Sequence, residues 1–339
     1  MALNYALRTP IYASAFSSVA STQSAQCVIT VGGSTVYTLI KEASQNVTVQ
    51  FEIAELIRDF LNITYIGNPQ YIVFTSTIQF FNLANAGGTA QASPVATTSG
   101  NGFEAYGLFS EGINPTIPFE NIAGNGWLIA EMNPLGSQND RYTIFVPFGV
   151  SGKISYINSA KDILAVNYNG TQTTLNASGA VELTIKRIDC TKYGDGRMIT
   201  FINKFGVVQD LWFFLKRVKN INRTNESFQS NTLTNTTSTS APSFAQVNAP
   251  KKLFNTQAKQ THILSSGYYP EAANLFFEQL LLSEFIWYTR PKDTQPDLDG
   301  VIPVIVKTSN LVYKTSLNDR LIEYTIEFED AFDYINNVR

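Results

Sequence analysis

The residues that could do chemistry are few in this chain. His262 is the single histidine, so a Ser-His-Asp or Cys-His site would have to use it. The Gly-x-Ser-x-Gly motif that positions the nucleophile of many hydrolases does not occur. Gln260, Thr261 and Ile263 surround His262 and are typical of a strand. We therefore interpret His262 as a polar strand residue, and we expect no enzyme.

Three carboxylates, Asp293, Asp297 and Asp299, lie together in a Pro/Asp-rich stretch. Carboxylate oxygens bind Ca²⁺, and paired carboxylates catalyse glycoside hydrolysis. The stretch DTQPDLDG lacks the distal Glu of an EF-hand, however, and a proline interrupts it. We interpret it as a solvated loop. The sequence predicts no catalytic residue, no metal and no cofactor.

A short basic run holds Lys216, Arg217, Lys219 and Arg223, close to Trp212 and Phe214. Cations interleaved with aromatic residues are typical of proteins that bind single-stranded nucleic acid. Four cations are few for such a surface, and the net charge of the chain is -3. We therefore do not expect a nucleic-acid partner. The alternative is that these cations pair with acidic groups on an adjacent subunit.

The composition favours a protein whose exterior is covered by neighbours. Charged residues make up 15% of the chain, whereas about 25% is usual, and aromatic residues make up 12%. A secreted β-protein with few ions is the alternative. The sequence has no signal-peptide pattern and no run of about 18 apolar residues, so we expect no membrane span. Cys27 and Cys190 are interpreted as small buried hydrophobic residues.

The stretch 198–218, MITFINKFGVVQDLWFFLKRV, predicts a central β-hairpin. Residues 199–203 form one strand, Gly206 lies in the turn, and residues 207–215 return. The second strand is apolar on both faces, which is typical of a strand covered on both sides. The hairpin therefore belongs either to the core of the subunit or to a joint between subunits. On the second alternative, Trp212, Phe214, Lys216, Arg217 and Trp287 are the predicted interface residues.

The chain divides by pattern into three parts and is mainly β with a few helices. Residues 1–224 are predicted to form an antiparallel β-sandwich or barrel with one helix at 52–63, because apolar residues there recur with helical spacing. Residues 225–250 are rich in Ser and Thr and predict an extended linker or arm. Residues 251–339 are predicted to form a smaller α+β domain, with a helix at 270–288 and three antiparallel strands.

Two turns are predicted from dipeptides. Gly32-Gly33 supplies the positive φ values of a two-residue hairpin turn within 26–41. Asn169-Gly170 predicts a second hairpin between residues 163–168 and 171–175.

Three stretches resemble structural proteins of tailed-bacteriophage virions, of the tail or baseplate kind. They are FEIAELIRDFLNITY near the start, MITFINKFGVVQDLWFFLKRVKNINRTNESF in the centre, and VIPVIVKTSNLVYKTSLNDRLIEYTIEFEDAFDYINNVR at the end. Residues 83–180 carry no such resemblance. The resemblance implies a virion subunit that is assembled in the host cytoplasm and has other virion proteins as partners. It does not imply a position in the particle.

The function that we expect is assembly: a structural subunit of a tail-tip or baseplate ring that binds copies of itself. The alternative is a carbohydrate- or receptor-binding β-module that contacts the host surface. Its candidate contacts are Trp127 and Tyr268.

Overall fold

The mainly β class is confirmed. The computed structural model describes residues 3–91, 96–107, 116, 126–129, 142–177, 182–189, 196–234, 243–245, 247–289, 300–313 and 321–333. Those residues contain 24 strands and two α-helices. Among the described residues, the sheets are antiparallel except for two parallel strand pairs. Residues 3–6 pair in parallel with residues 100–103, and residues 142–147 pair in parallel with residues 183–188.

The N-terminal region is a five-stranded sheet with a small two-stranded sheet and one helix. Its elements are β1 (Leu3–Ala6), β2 (Tyr12–Phe16), β3 (Ser24–Val31), β4 (Ser34–Glu42), β5 (Thr48–Glu52), α1 (Ala54–Arg58), β6 (Ile72–Phe81) and β7 (Ala96–Phe103). The large sheet has the order β1-β7-β6-β3-β4, and β2 pairs with β5. The predicted Gly-Gly hairpin is confirmed as β3–β4, with φ of 57° at Gly32 and 86° at Gly33.

Two three-stranded sheets follow. Their strands are β8 (Gly126–Trp127), β9 (Tyr142–Pro147), β10 (Gly152–Ile157), β11 (Ile163–Tyr168), β12 (Thr174–Leu175) and β13 (Leu183–Ile188). The orders are β11-β10-β8 and β12-β13-β9. The predicted hairpin at Asn169-Gly170 is wrong, because the strands on either side of it lie in different sheets. The Asn169 side chain accepts hydrogen bonds from the backbone N–H groups of Thr171 and Gln172, which closes a local turn.

A seven-stranded antiparallel sheet, which we call the central sheet, holds the second half of the chain together. The elements of this half are β14 (Arg197–Ile202), β15 (Val208–Phe213), β16 (Arg217–Gln229), β17 (Leu233–Thr234), β18 (Ser243–Phe244), β19 (Lys251–Ser265), β20 (Tyr269–Pro270), α2 (Asn274–Leu282), β21 (Ile286–Thr289), β22 (Val301–Val306), β23 (Leu321–Ile322) and β24 (Thr325–Asp330). The order is β15-β14-β21-β22-β24-β19-β16, while β17–β18 and β20–β23 form separate pairs.

The predicted central hairpin is confirmed as β14–β15, paired from Arg197–Phe213 to Ile202–Val208. Its turn needs glycine for two reasons. Gly206 has a φ of 72°, and a Cβ there would lie 2.9 Å from the backbone nitrogen of Ala105. The turn therefore packs directly on the N-terminal region. A small buried cluster lies at that contact: Ala6, Phe103, Ala105, Leu128, Ile157, Phe205 and Val207.

Both predicted helices are shorter in the structure. The helix predicted at 52–63 is confined to α1, because the N–H groups of Phe60 and Leu61 bond three residues back and close the last turn. The helix predicted at 270–288 begins with a 3₁₀ turn, Glu271–Ala273, and α2 ends at Leu282, because the next residue, Ser283, is extended. The aromatic and β-branched run that follows, IWYT, forms β21, so Trp287 lies on a strand.

The central sheet contains residues from all three predicted parts of the chain, on both sides of the predicted boundaries at 224/225 and 250/251. Residues 225–229 belong to β16, and β16 pairs with β19 from Arg217–Leu264 to Gln229–Lys251. The segment interpreted as a linker or arm is therefore the far end of one long β-hairpin. The three strands predicted at the end of the chain were 301–307, 311–315 and 321–328. The first corresponds to β22, the described residues 311–313 of the second are not in a strand, and the third is divided between β23 and β24.

Candidate assembly surface

The three aromatic residues that were predicted to form an interface lie inside their own subunit. Trp212, Phe214 and Trp287 are each 8% exposed. Phe214 packs near Tyr269 at 5.9 Å between ring centroids, and Trp287 packs edge-on against Tyr65 at 5.7 Å. The central hairpin therefore belongs to the core of the subunit, which corrects the assignment of these three side chains to an interface.

Lys216 and Arg217 are exposed, and they lie where β15 gives way to β16. They mark the base of the long hairpin. We call residues 216–260 the arm; its described parts are 216–234, 243–245 and 247–260. Sequence reasoning named Lys216 and Arg217 as interface residues and 225–250 as a linker or arm, but it missed that they belong to one long hairpin, because the polar Asn-, Thr- and Gln-rich strands resemble a linker in composition. The sequence feature that could have indicated the hairpin is a pair of basic stretches of similar length on either side of the Ser/Thr-rich segment, KRVKNINR and KKLFNTQAK.

Among the described residues, strand pairing joins the arm to the rest of the molecule at its base. Strand β19 pairs with β24 over Thr261–Ser265, whereas the residues before Thr261 pair only with β16. Nine residues of β16, from Ile221 to Gln229, therefore extend past the sheet for about 30 Å at roughly 3.3 Å per residue. A two-stranded hairpin in water is only marginally stable by itself. The far part of the arm would thus gain stability from a further contact.

The pairing of the arm has one irregularity. The register shifts between Thr224 and Glu226, and Asn255 on the opposite strand has a φ of 50°. A bulge of this kind increases the local twist and changes the direction of the strands. The tip of the arm is thereby turned relative to its base.

Apolar side chains are exposed along the arm. Phe228 and Phe254 are each 46% exposed, and their rings meet edge-on at 5.7 Å between centroids. Phe228 is paired with Lys252 and Phe254 with Glu226, so the aromatic pair has one charge of each sign beside it on the same face. Other large apolar side chains of the arm are also exposed: Ile221, Leu233, Val247 and Leu253.

The arm and the remainder of the chain carry opposite charge. Residues 216–260 contain seven basic residues and one acidic residue, Glu226. The rest contains 17 basic and 26 acidic residues, since the whole chain has 24 and 27. One arm cation, Lys259, binds Glu329 of its own subunit at 3.1 Å. The other six form no ion pair with any described residue: Lys216, Arg217, Lys219, Arg223, Lys251 and Lys252.

His262 lies at the root of the arm, on β19, and is buried. Its Nε2 is 3.0 Å from Oδ1 of Asp330 and 3.0 Å from Nε2 of Gln260, and its ring lies 4.7 Å from that of Tyr288. A histidine and an acid are thus within hydrogen-bonding distance. The pair is enclosed by strand residues, however, and no Ser or Cys is bonded to the ring among the described residues. The arrangement fixes the arm to β24.

One cleft lies beside the central hairpin, with about 380 Å³ of empty space that is partly open to solvent. Asp210 is the one carboxylate among its described lining residues. Burial raises the pKa of Asp210 to about 6, against the opposing effect of a hydrogen bond from the Thr200 hydroxyl at 2.6 Å. The buried indole N–H of Trp212 has no hydrogen-bond partner in the described structure. A lone carboxyl cannot supply the acid–base pair that glycoside hydrolysis requires.

The remaining candidate residues divide as follows. Trp127 is fully buried, so it offers no surface to a carbohydrate, whereas Tyr268 is 65% exposed. Asp293, Asp297, Asp299 and Cys190 lie outside the described residues; Cys27 is buried, as predicted. Within the described ranges, no three His, Cys, Asp or Glu side chains are grouped to hold a metal ion. None of the helices described is long and apolar enough to cross a membrane.

Comparisons with models of known protein families, with curated proteins and with solved structures give no match to this chain.

Proposed function

We propose that this chain is a structural subunit of a tailed-phage virion, a component of a tail-tip or baseplate ring that works by binding copies of itself and other virion proteins. The three stretches that resemble tail and baseplate proteins support the virion assignment. The arm supports assembly as the mode of action. It reaches beyond the sheet that carries it, and its apolar side chains face solvent.

The single observation that carries the proposal is the aromatic pair of Phe228 and Phe254. Both rings are nearly half exposed, and they lie on a hairpin that extends beyond the central sheet. A monomeric protein gains little from ordering the far part of such a hairpin, because residues 221–229 and 251–254 are exposed. Aromatic side chains that become buried at a contact are the residues that contribute most to binding between proteins. The arm therefore supplies what an assembly contact needs: a preformed backbone and an apolar anchor.

The test is the mass of the purified full chain in solution, measured by size-exclusion chromatography with light scattering in low salt. We expect an oligomer. The variant that lacks the arm has residues 223–258 replaced by Asn-Gly, so that the registered pair Asn222–Lys259 flanks a two-residue turn. This variant retains the Lys259–Glu329 ion pair, and we expect a folded monomer.

A matched point variant separates the arm from general surface hydrophobicity. Phe228→Ser with Phe254→Ser is expected to reduce the oligomer, whereas Tyr12→Ser, at an aromatic residue that is exposed outside the arm, is expected to leave it intact. Limited trypsin digestion gives a second readout, because cleavage after Lys251 and Lys252 should slow when the arm is engaged. A wild-type chain that stays monomeric at high concentration contradicts the proposal. That result would favour the receptor-binding alternative, which Tyr268→Ala on a glycan array would then test.

A further inference from the structure

We infer that the arm of one copy binds the acidic body of the next copy, so that the subunits join head to tail and not across a two-fold axis. This inference rests on the proposed assembly function and adds the partner surface and the geometry of the contact. We call all residues outside 216–260 the body.

The first step is the separation of charge. The arm has an excess of six positive charges, and the body has an excess of nine negative charges, in a chain whose net charge is -3. Opposite potentials on two surfaces steer them together and determine which partners are accepted. Six of the seven arm cations form no ion pair with the described part of their own subunit, so they remain available to another.

The charge of the arm disfavours contact between two arms. A two-fold interface brings the same patch of both subunits together. Two arms would then bring together two surfaces that each have seven basic residues and one acid, a net charge of +6 on each. Two like charges 4 Å apart repel by about 1 kcal/mol even in water. The charge pattern thus favours the body of a second copy over its arm.

The third step concerns the free edge of the arm. Strand β16 ends the order of the central sheet, so its outer edge has no paired strand among the described residues. Three cationic residues lie on the same face of that edge strand: Arg217, Lys219 and Arg223. Cationic side chains on an edge strand discourage pairing with a second strand of the same charge. They leave the edge open to an acidic partner.

The fourth step is the contact itself. The aromatic pair of Phe228 and Phe254 would be covered at the centre, and the cations around it would form the polar rim. Apolar burial then gives affinity, while the rim gives specificity and dependence on salt. A contact between two different surfaces, repeated around an axis, produces a ring if the rotation closes and a filament if it does not.

Zero-length crosslinking tests the geometry. Equal amounts of ¹⁴N- and ¹⁵N-labelled full chain are mixed in low salt and treated with a carbodiimide, which joins lysine amines to carboxylates. Mixed-isotope peptides report only links between copies. We expect Lys251 and Lys252 of one copy to be linked to body carboxylates of another. Links between Lys252 of one copy and Glu226 of another would overturn the inference, because they require two arms in contact.

Charge reversal provides a second experiment, which has a matched control. Lys251→Glu with Lys252→Glu is expected to weaken association at least about tenfold. Lys41→Glu with Lys186→Glu makes the same change in net charge on the exposed body, and association should be unchanged or stronger. Equal weakening by both pairs would overturn the inference. Raising NaCl from about 50 to 500 mM should also weaken the wild-type oligomer about tenfold.

The outcomes distinguish this inference from the function on which it rests. A chain that is monomeric at every salt concentration contradicts both. An oligomer that resists salt, or whose crosslinks do not involve the arm, retains the assembly function and overturns the arm-to-body contact.

Discussion

Two β-hairpins of this protein follow each other in sequence and differ in almost every physical respect. The β14–β15 hairpin is enclosed in the core. Its Phe213 ring packs edge-on against the rings of Phe277 and Phe328, with 6.3 and 5.8 Å between ring centroids. The β16–β19 hairpin has its own aromatic pair, Phe228 and Phe254, on the surface. The comparison teaches that an aromatic residue marks an interface only where its own subunit leaves it uncovered.

The largest difference between the hairpins is expected in stability. Phe213→Ala removes a buried ring from the core, and we expect the free energy of unfolding to fall by about 3–5 kcal/mol. Urea denaturation followed by tryptophan fluorescence measures it. A loss below about 1 kcal/mol would mean that the core hairpin contributes no more than the arm does.

The second prediction concerns pH and the core hairpin. Asp210 has a raised pKa in the folded protein, about 6 against 3.8, so the folded state binds more protons than the unfolded state between these values. Stability is therefore greatest below about pH 4 as far as this group is concerned, and it falls as the pH rises through about 6. At roughly 1.4 kcal/mol per pKa unit, the shift from 3.8 to about 6 corresponds to about 3 kcal/mol.

The matched variant is Asp210→Asn, which retains an acceptor for the Thr200 hydroxyl. We expect it to remove most of the decline in stability between pH 4 and 6.5. The two unfolding profiles, measured across that range, should converge at the acidic end. An unchanged slope would show that another group titrates there.

The third prediction concerns the buried carboxylate of Glu104 and its ion pair with Arg58 in the N-terminal region. Glu104 is 3% exposed, and Oε2 accepts a hydrogen bond from Nε of Arg58 at 2.9 Å. That interaction raises the pKa of Arg58 above its ordinary value. Arg58 also pairs with Glu284, after α2. Glu104→Gln should cost about 1–2 kcal/mol, because it leaves Arg58 with a neutral partner.

The control for that change is Glu284→Gln. This side chain is half exposed, so we expect a loss below about 0.5 kcal/mol. Thermal unfolding in low and high salt would measure both. Equal effects of the two variants would mean that the burial of Glu104 adds nothing to the pair.

The smallest effect is expected at the arm. Phe228→Ala should change the free energy of unfolding of the monomer by less than about 0.5 kcal/mol, because the ring is nearly half exposed. It should nevertheless reduce self-association. A variant that loses several kcal/mol of stability would place the arm in the core and abolish the contrast with Phe213.

The parts of the fold that follow local rules were predictable from the sequence. Gly32-Gly33 and Gly206 set positive φ values, and both hairpins that contain them are confirmed. Asn169-Gly170 has the same local signal, but its side-chain hydrogen bonds turn the chain toward a different sheet. The dipeptide specifies a turn and not the strands that pair across it.

The end of the helix at 270–288 and the strand pairing of the arm were mispredicted for a different reason. The run IWYT joins β14 and β22 in the central sheet, and this long-range pairing overrides the helical spacing of Trp287. The strands of the arm are polar on both faces, so they have no periodicity to indicate a strand. The candidate surface was therefore found from exposure and register, which only the folded chain provides.

Strand β19 runs without interruption from the far part of the arm into the central sheet, as Lys251–Ser265. Four of its residues, Thr261–Leu264, are registered on β24 as well as on β16. A force that pulls on the tip along the strand therefore acts on the backbone hydrogen bonds of both neighbours in shear, where many must break together. If another molecule holds the tip and pulls along the strand, the tension therefore passes through β19 into the central sheet.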